Sequence, residues 1–162
     1  MVVFGADEIE TNRVRHVLHG LKMKTVSMNK KMIQGECSCR AIQFEMPDDF
    51  KYAFYCHCSL CRKRSGSAFA SIGGIESEKV NVTLGEALVF KDGETTDGYR
   101  AVCSKCNAHL FSVLMDQKRA HVNLGALKDE PSRKPDHHIY VASKASWYVI
   151  QDSLPQFAEL PT

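Results

Sequence analysis

The residues of this chain best placed to do chemistry are its seven cysteines, which fall into three groups: Cys37-x-Cys39, Cys56-x-Cys58-x-x-Cys61 and Cys103-x-x-Cys106. The number is odd, and Asp7, Glu8 and Glu10 stand where a secretory or transit leader avoids acids. A disulfide framework therefore explains the cysteines poorly, and metal binding explains them better. Two cysteines one or two residues apart at a tight turn can aim both sulfurs at one centre, and two such pairs complete the four-thiolate shell that structural zinc prefers. Cys37 and Cys39 with Cys103 and Cys106 make up one such closed site. The remaining three, Cys56, Cys58 and Cys61, lie within six residues and can converge on a second ion with its fourth position free, as catalytic zinc sites do. The expected cofactor is zinc, one ion structural and one at the open site.

Three anionic sulfurs quench a metal's Lewis acidity, so water on this zinc should be less acidified than on a three-histidine site. A soft fourth ligand such as an incoming thiolate suits it better, which points to a small-molecule thiol as partner. A C-x-x-C pair taken alone fits a redox couple equally well; the three groups together favour metal. His57 and His109, inside or beside the groups, are either alternative ligands or satisfied or solvent-facing histidines. Arg62, Lys63 and Arg64 follow the triad directly, either to bind a substrate's carboxylates or to form a solvated basic turn.

The elements that must position these groups read mostly as strands. Ile42, Phe44 and Met46 alternate with Gln43 and Glu45, and Val80, Val82 and Leu84 alternate with Asn81 and Thr83, the period of half-buried strands. Gly85 and the Asp92-Gly93 pair punctuate two further runs, Ala87 to Phe90 and Tyr99 to Val102, which suits antiparallel hairpins rather than strand-helix-strand units. Phe111, Val113 and Met115, then Val122 and Leu124, then Ile139 and Val141 extend the series, with a short turn of helix expected at 59–64. Val14, Val17, Leu18 and Leu21 recur at helical spacing, predicting a short amphipathic helix over 14–23 within an N-terminal extension, 1–33, that precedes the domain at 34–162. Phe44, Phe90, Phe111, Ile139 and Trp147 are expected in the core.

Composition bounds the rest. With 44% hydrophobic and 25% charged residues, 162 residues suffice for one globular domain that needs no disulfides. A net charge of +2 gives no reason to expect nucleic acid or a membrane surface as partner, no apolar run reaches the length of a membrane span, and the chain reads as cytoplasmic.

Taken together, G-E-C-S-C-R at 35–40, C-H-C-S-L-C-R-K-R-S-G-S at 56–67, C-S-K-C at 103–106 and H-I-Y-V-A-S-K-A-S-W at 138–147 resemble the glutathione-dependent formaldehyde-activating enzyme (GFA) family, whose domain centromere protein V shares. The resemblance runs in order from Gly35 to Pro161. It implies an Mss4-like antiparallel β fold, a structural zinc on the outer cysteine pairs, a second zinc on the central three, and carbon-sulfur lyase chemistry joining glutathione and formaldehyde. The chain departs from the family pattern in having Arg40 and Asn107 where glycine usually follows each outer pair, and Gly125-Ala126-Leu127-Lys128 where the family usually reads G-x-L-D. A left-handed backbone is expected at 40 and 107, which asparagine tolerates better than arginine. The alternative to the enzyme is a zinc-stabilised module that binds a protein partner without catalysis. The third cysteine group separates the two, because a purely structural module needs only four ligands.

Overall fold

The computed structural model describes residues 30–95, 98–114 and 116–161. The predicted helix at 14–23 and Met115 lie outside them. Ten strands and one α-helix are described, in two sheets, so the chain is mostly β as expected.

The smaller sheet holds β1 (Met32–Glu36), β2 (Gln43–Pro47) and β5 (Asn81–Leu84), in the order β1-β2-β5 and antiparallel throughout. β1 opens at Met32, two residues before the expected domain boundary. In and beside β2 the alternation works as the sequence suggests: Ile42, Phe44 and Met46 are buried while Gln43 and Glu45 are half-exposed. β5 is an edge strand, and there the same pattern buys less burial: Val82 is half-buried and Leu84 exposed.

The larger sheet has seven strands in the order β10-β3-β4-β9-β8-β7-β6. They are β3 (Tyr52–Cys56), β4 (Ala70–Glu76), β6 (Val89–Thr95), β7 (Gly98–Cys103), β8 (His109–Val113), β9 (Arg119–Asn123) and β10 (His138–Ile139). Every pairing is antiparallel except that of the two-residue β10, which lies parallel to β3. Helix α1 (Ser59–Ser65) follows β3 and stops where Gly66 turns left-handed, its N–H returning to the Arg62 carbonyl at 2.9 Å. The core lies between the sheets, where Ile33, Phe44 and Met46 join Ile75, Leu110, Phe111 and Val122, with Phe44 edge-on to Phe111 at 5.8 Å.

Three expectations need correction. The Asp92-Gly93 pair is an irregularity inside β6, where pairing with β7 shifts between Asp92 and Thr95, and the reversal falls between Thr95 and Gly98. Phe90 is 57% exposed because it belongs to the edge strand of the large sheet. Trp147 is 72% exposed and outside the core, because it sits in the irregular segment after β10 and meets Tyr148 rather than either sheet. Among the described residues no helix is long and apolar enough to cross a membrane.

Gly85 adopts φ 74°, and a Cβ there would collide with the Ala41 carbonyl oxygen, which ties the start of the turn before β6 to the small sheet. Gly85→Ala is expected to cost about 1–3 kcal/mol. Trp147→Ala should stay within about 0.5 kcal/mol of wild type. Denaturant unfolding of both variants checks the pair, and a large loss for Trp147→Ala would contradict its exposed placement.

Candidate metal centres

The outer cysteine pairs sit in two turns built alike. After β1 the chain turns at 37–42: the Arg40 amide donates to the Cys37 carbonyl at 2.8 Å, the Cys37 amide to the Ile42 carbonyl at 3.1 Å, and Arg40 is left-handed at φ 60°. After β7 the pattern repeats: the Asn107 amide donates to the Cys103 carbonyl at 2.8 Å, the Cys103 amide to the Ala108 carbonyl at 2.9 Å, and Asn107 has φ 59°. Both departures from glycine therefore keep the left-handed backbone, and Arg40 bears the steric cost that a Cβ imposes there.

The turns bring four sulfurs together across 64 residues of sequence, Cys37 to Cys39 at 3.5 Å and Cys39 to Cys103 at 3.8 Å, with all four within 4.8 Å of one another. A tetrahedron with metal–sulfur bonds of about 2.3 Å has edges of about 3.8 Å, so the donor set fits zinc. Backbone amides support anionic sulfur as well. The Ile42 amide donates to Cys37 Sγ at 3.2 Å, and amide hydrogen bonds from Ala108 and then Cys39 draw the Cys106 thiol down to about 6. Cys37 and Cys103 are buried while Cys39 is exposed, so the cluster reaches from the core to the surface.

The second cluster is made by one short segment. Cys56 ends β3 between Ala70 of β4 and Ile139 of β10, Cys58 is the residue before α1, and Cys61 lies in the helix's first turn. The three sulfurs lie within 4.8 Å of one another, and the Cys61 amide donates to Cys58 Sγ at 3.3 Å. A hydrogen bond from Cys61 draws the Cys56 thiol down to about 6, while the same contact pushes Cys61 up. Thiolates this close repel, so collecting the charge of all three requires a cation among them. Each cluster can hold a metal ion.

Neither His57 nor His109 belongs to a cluster. His57 is fully buried, its Nε2 bonded to His138 Nδ1 at 2.8 Å, and burial first and His138 second hold it down to about 4. His109 bonds Ser112 Oγ at 3.0 Å and is likewise held to about 4, chiefly by burial. Both are neutral at pH 7.

A groove of about 1130 Å³ is lined by residues that include both Cys61 and Cys37. Arg64 lines it and Arg62 and Lys63 do not: Arg62 turns back to donate to the His57 carbonyl at 3.3 Å, and Lys63 faces solvent. Arg100, His121 and Asn123 line it too, none of them picked out by the cysteine spacing. Their signal was available in the polar members of the strand alternation, which face away from the core that Ala101, Ala120 and Val122 enter. His121 bonds the Tyr52 hydroxyl at 3.0 Å and burial holds it to about 4, so the groove's positive charge comes from Arg64 and Arg100 together with Arg40 and Lys128, the last two paired with Glu36. Arg100 pairs with Asp92, whereas Arg64 has no carboxylate partner among the described residues. The two guanidiniums feel each other: burial and then the charge of Arg64 lower the Arg100 value.

A chain with this fold and two such clusters has clear relatives. The family described as glutathione-dependent formaldehyde-activating enzyme matches residues 32–143. A protein of Halomonas elongata is 27% identical over 130 residues, covering 74% of this chain and 82% of its own length. One of Fusarium vanettenii is 24% identical over 141 residues, covering 86% and 67%. Each carries the name "Putative glutathione-dependent formaldehyde-activating enzyme". A crystal structure of a Rhodobacter sphaeroides protein, 20% identical, aligns with a TM-score of 0.50 over 63% of this chain and 97% of its own, a likeness of fold. The chain belongs to the GFA family.

The two clusters should differ in what their loss does. An ion held by the first ties together segments distant in sequence, while one held by the second joins residues already adjacent. In zinc-replete protein, Cys103→Ser is expected to cost upwards of about 3 kcal/mol, roughly 6–12 °C in Tm, and Cys58→Ser clearly less. Thermal unfolding with metal content measured alongside decides it; equal losses would reverse the structural assignment.

Proposed function

We propose that this chain is a zinc-dependent carbon-sulfur lyase that joins glutathione to formaldehyde and releases them again, with one zinc held by Cys37, Cys39, Cys103 and Cys106 and a second by Cys56, Cys58 and Cys61. The observation that carries the reading is the three-sulfur cluster whose Cys61 lines a groove together with Arg64, an arginine with no carboxylate partner among the described residues. Membership of the GFA family supports the choice of glutathione and formaldehyde.

Bound at the three cysteines, zinc would supply a soft cationic centre that prefers sulfur to water and lowers the pKa of a thiol. The chain's own residues do the rest. In the forward direction a carbon-sulfur bond forms between the thiol sulfur and the aldehyde carbon, and the thiol proton ends on the former carbonyl oxygen; in reverse that bond breaks and the hydroxyl proton returns to sulfur. Arg64 and Arg100 bind the tripeptide's carboxylates through charge-assisted hydrogen bonds, which orients the sulfur toward Cys61 in the same lining. His109 and His121, neutral at pH 7, offer hydrogen-bonding nitrogens without adding charge. The positive field along the groove therefore selects an anionic thiol over a neutral one.

Calorimetric titration of glutathione into zinc-replete protein tests the reading, with carbon NMR of labelled formaldehyde following carbon-sulfur bond formation. Wild type is expected to bind and to accelerate the exchange. Cys58→Ser should lose binding by at least about tenfold, and Arg64→Ala by about tenfold through the lost charged hydrogen bond. Equal binding by wild type and Cys58→Ser, with no acceleration, would instead favour a zinc-stabilised protein-binding module.

A further inference from the structure

His57 separates two of the cluster cysteines and is held at three points. Its amide donates to the Ile139 carbonyl at 3.0 Å, its carbonyl accepts from Arg62 Nε at 3.3 Å, and its Nε2 meets His138 Nδ1 at 2.8 Å. His138 is also buried, and its Nε2 reaches the Asp152 carboxylate at 3.0 Å. Asp152 also accepts from the Leu154 amide at 3.0 Å, which places the carboxylate on a tight turn of the C-terminal segment. His57 Nδ1 is buried beside the Ala68 backbone.

Packing alone does not call for this arrangement. The two imidazoles stand among the rings of Tyr55, Phe69 and Tyr148, at centroid distances of 5.0–6.0 Å, where two more hydrocarbon rings would avoid burying polar nitrogens. A hydrogen-bonded chain adds direction, because it sets the orientation of each ring. The need for it is local. The four-sulfur cluster is braced by two turns that clamp from opposite sides, whereas the three-sulfur cluster stands on a single turn and must be braced from elsewhere.

We infer that Asp152, His138 and His57 form a positioning chain that carries the rigidity of the C-terminal segment into the Cys56-His57-Cys58 turn and holds its sulfurs in a metal-receiving arrangement. The inference rests on the reading of Cys56, Cys58 and Cys61 as a metal site. None of the three residues touches the substrate groove, so each acts through the cysteines rather than on the reactants.

The test loads the full chain with Co²⁺, whose sulfur charge-transfer and d–d bands report ligand number and geometry, and uses Cys58→Ser to identify the bands of the three-sulfur cluster. Asp152→Ala and His138→Phe are expected to weaken Co²⁺ there by about tenfold or more and to shift those bands, leaving the four-sulfur bands unchanged. Asp152→Asn, which keeps an acceptor oxygen for His138, should restore most of the affinity and the wild-type spectrum. Should His138→Phe fail to fold, Asp152, whose side chain is 45% exposed, carries the test alone. Wild-type affinity and spectrum in Asp152→Ala would overturn the positioning chain while leaving the metal site standing. Absence of three-sulfur bands from wild type would remove both.

Discussion

Four sulfurs meeting at one point constrain the molecule more than any other contact. Cys37 and Cys103 are buried in the same core as Phe44 and Phe111, so the cluster is continuous with the hydrophobic packing. Each turn that delivers a sulfur pair hangs from the end of a strand in a different sheet, β1 in the small one and β7 in the large one. The sheets thus have two reasons to stay in register with each other: apolar area removed from water, and a shared donor set that no single sheet can complete. The left-handed residues at 40 and 107 follow from this demand, since only a sharp reversal lets both sulfurs of a pair face one way.

The three-sulfur cluster obeys a different logic. It lies where β3 ends, flanked by β4 and β10, and its sulfurs come from one strand end and one short helix. Its neighbourhood is held by aromatic rings and by hydrogen bonds to a segment eighty-one residues further along. One face of the large sheet packs the core, and its other face presents Arg100, His121 and Asn123 to the groove that Cys61 also lines. The core and the groove therefore lie on the two faces of one sheet.

Much of this was legible in the residues. The cysteine spacing pointed to the two groups the fold assembles, and the alternation at 42–46 located β2. The left-handed backbone at Arg40 and Asn107 was foreseeable from the glycines they replace. β3 and β4 escaped the period-two reading because each is buried on both faces: Tyr52 to Cys56 is a nearly unbroken apolar run, and β4 carries a Gly73-Gly74 pair that leaves room for Phe50 and Tyr52. Trp147 was misplaced because hydrophobicity says that a residue benefits from burial, not that the chain can bring it inside. Which of Arg62, Lys63 and Arg64 lines the groove depends on the direction each side chain leaves a two-turn helix, and the His57–His138–Asp152 chain depends on a parallel pairing of only two residues, too short to leave a pattern.

That two-residue pairing has a consequence for the order of assembly. A chain made from its N-terminus can form both sulfur-bearing turns once Ala108 is available, because the strands from which they hang, β1 and β7, precede it. The wall of the other cluster comes later, from His138 and Ile139 and from the segment around Pro155 and Phe157 that bonds to them. The three sulfurs of Cys56, Cys58 and Cys61 are thus synthesised early and enclosed last. During that interval they are open to any thiophilic ion or oxidant in their surroundings.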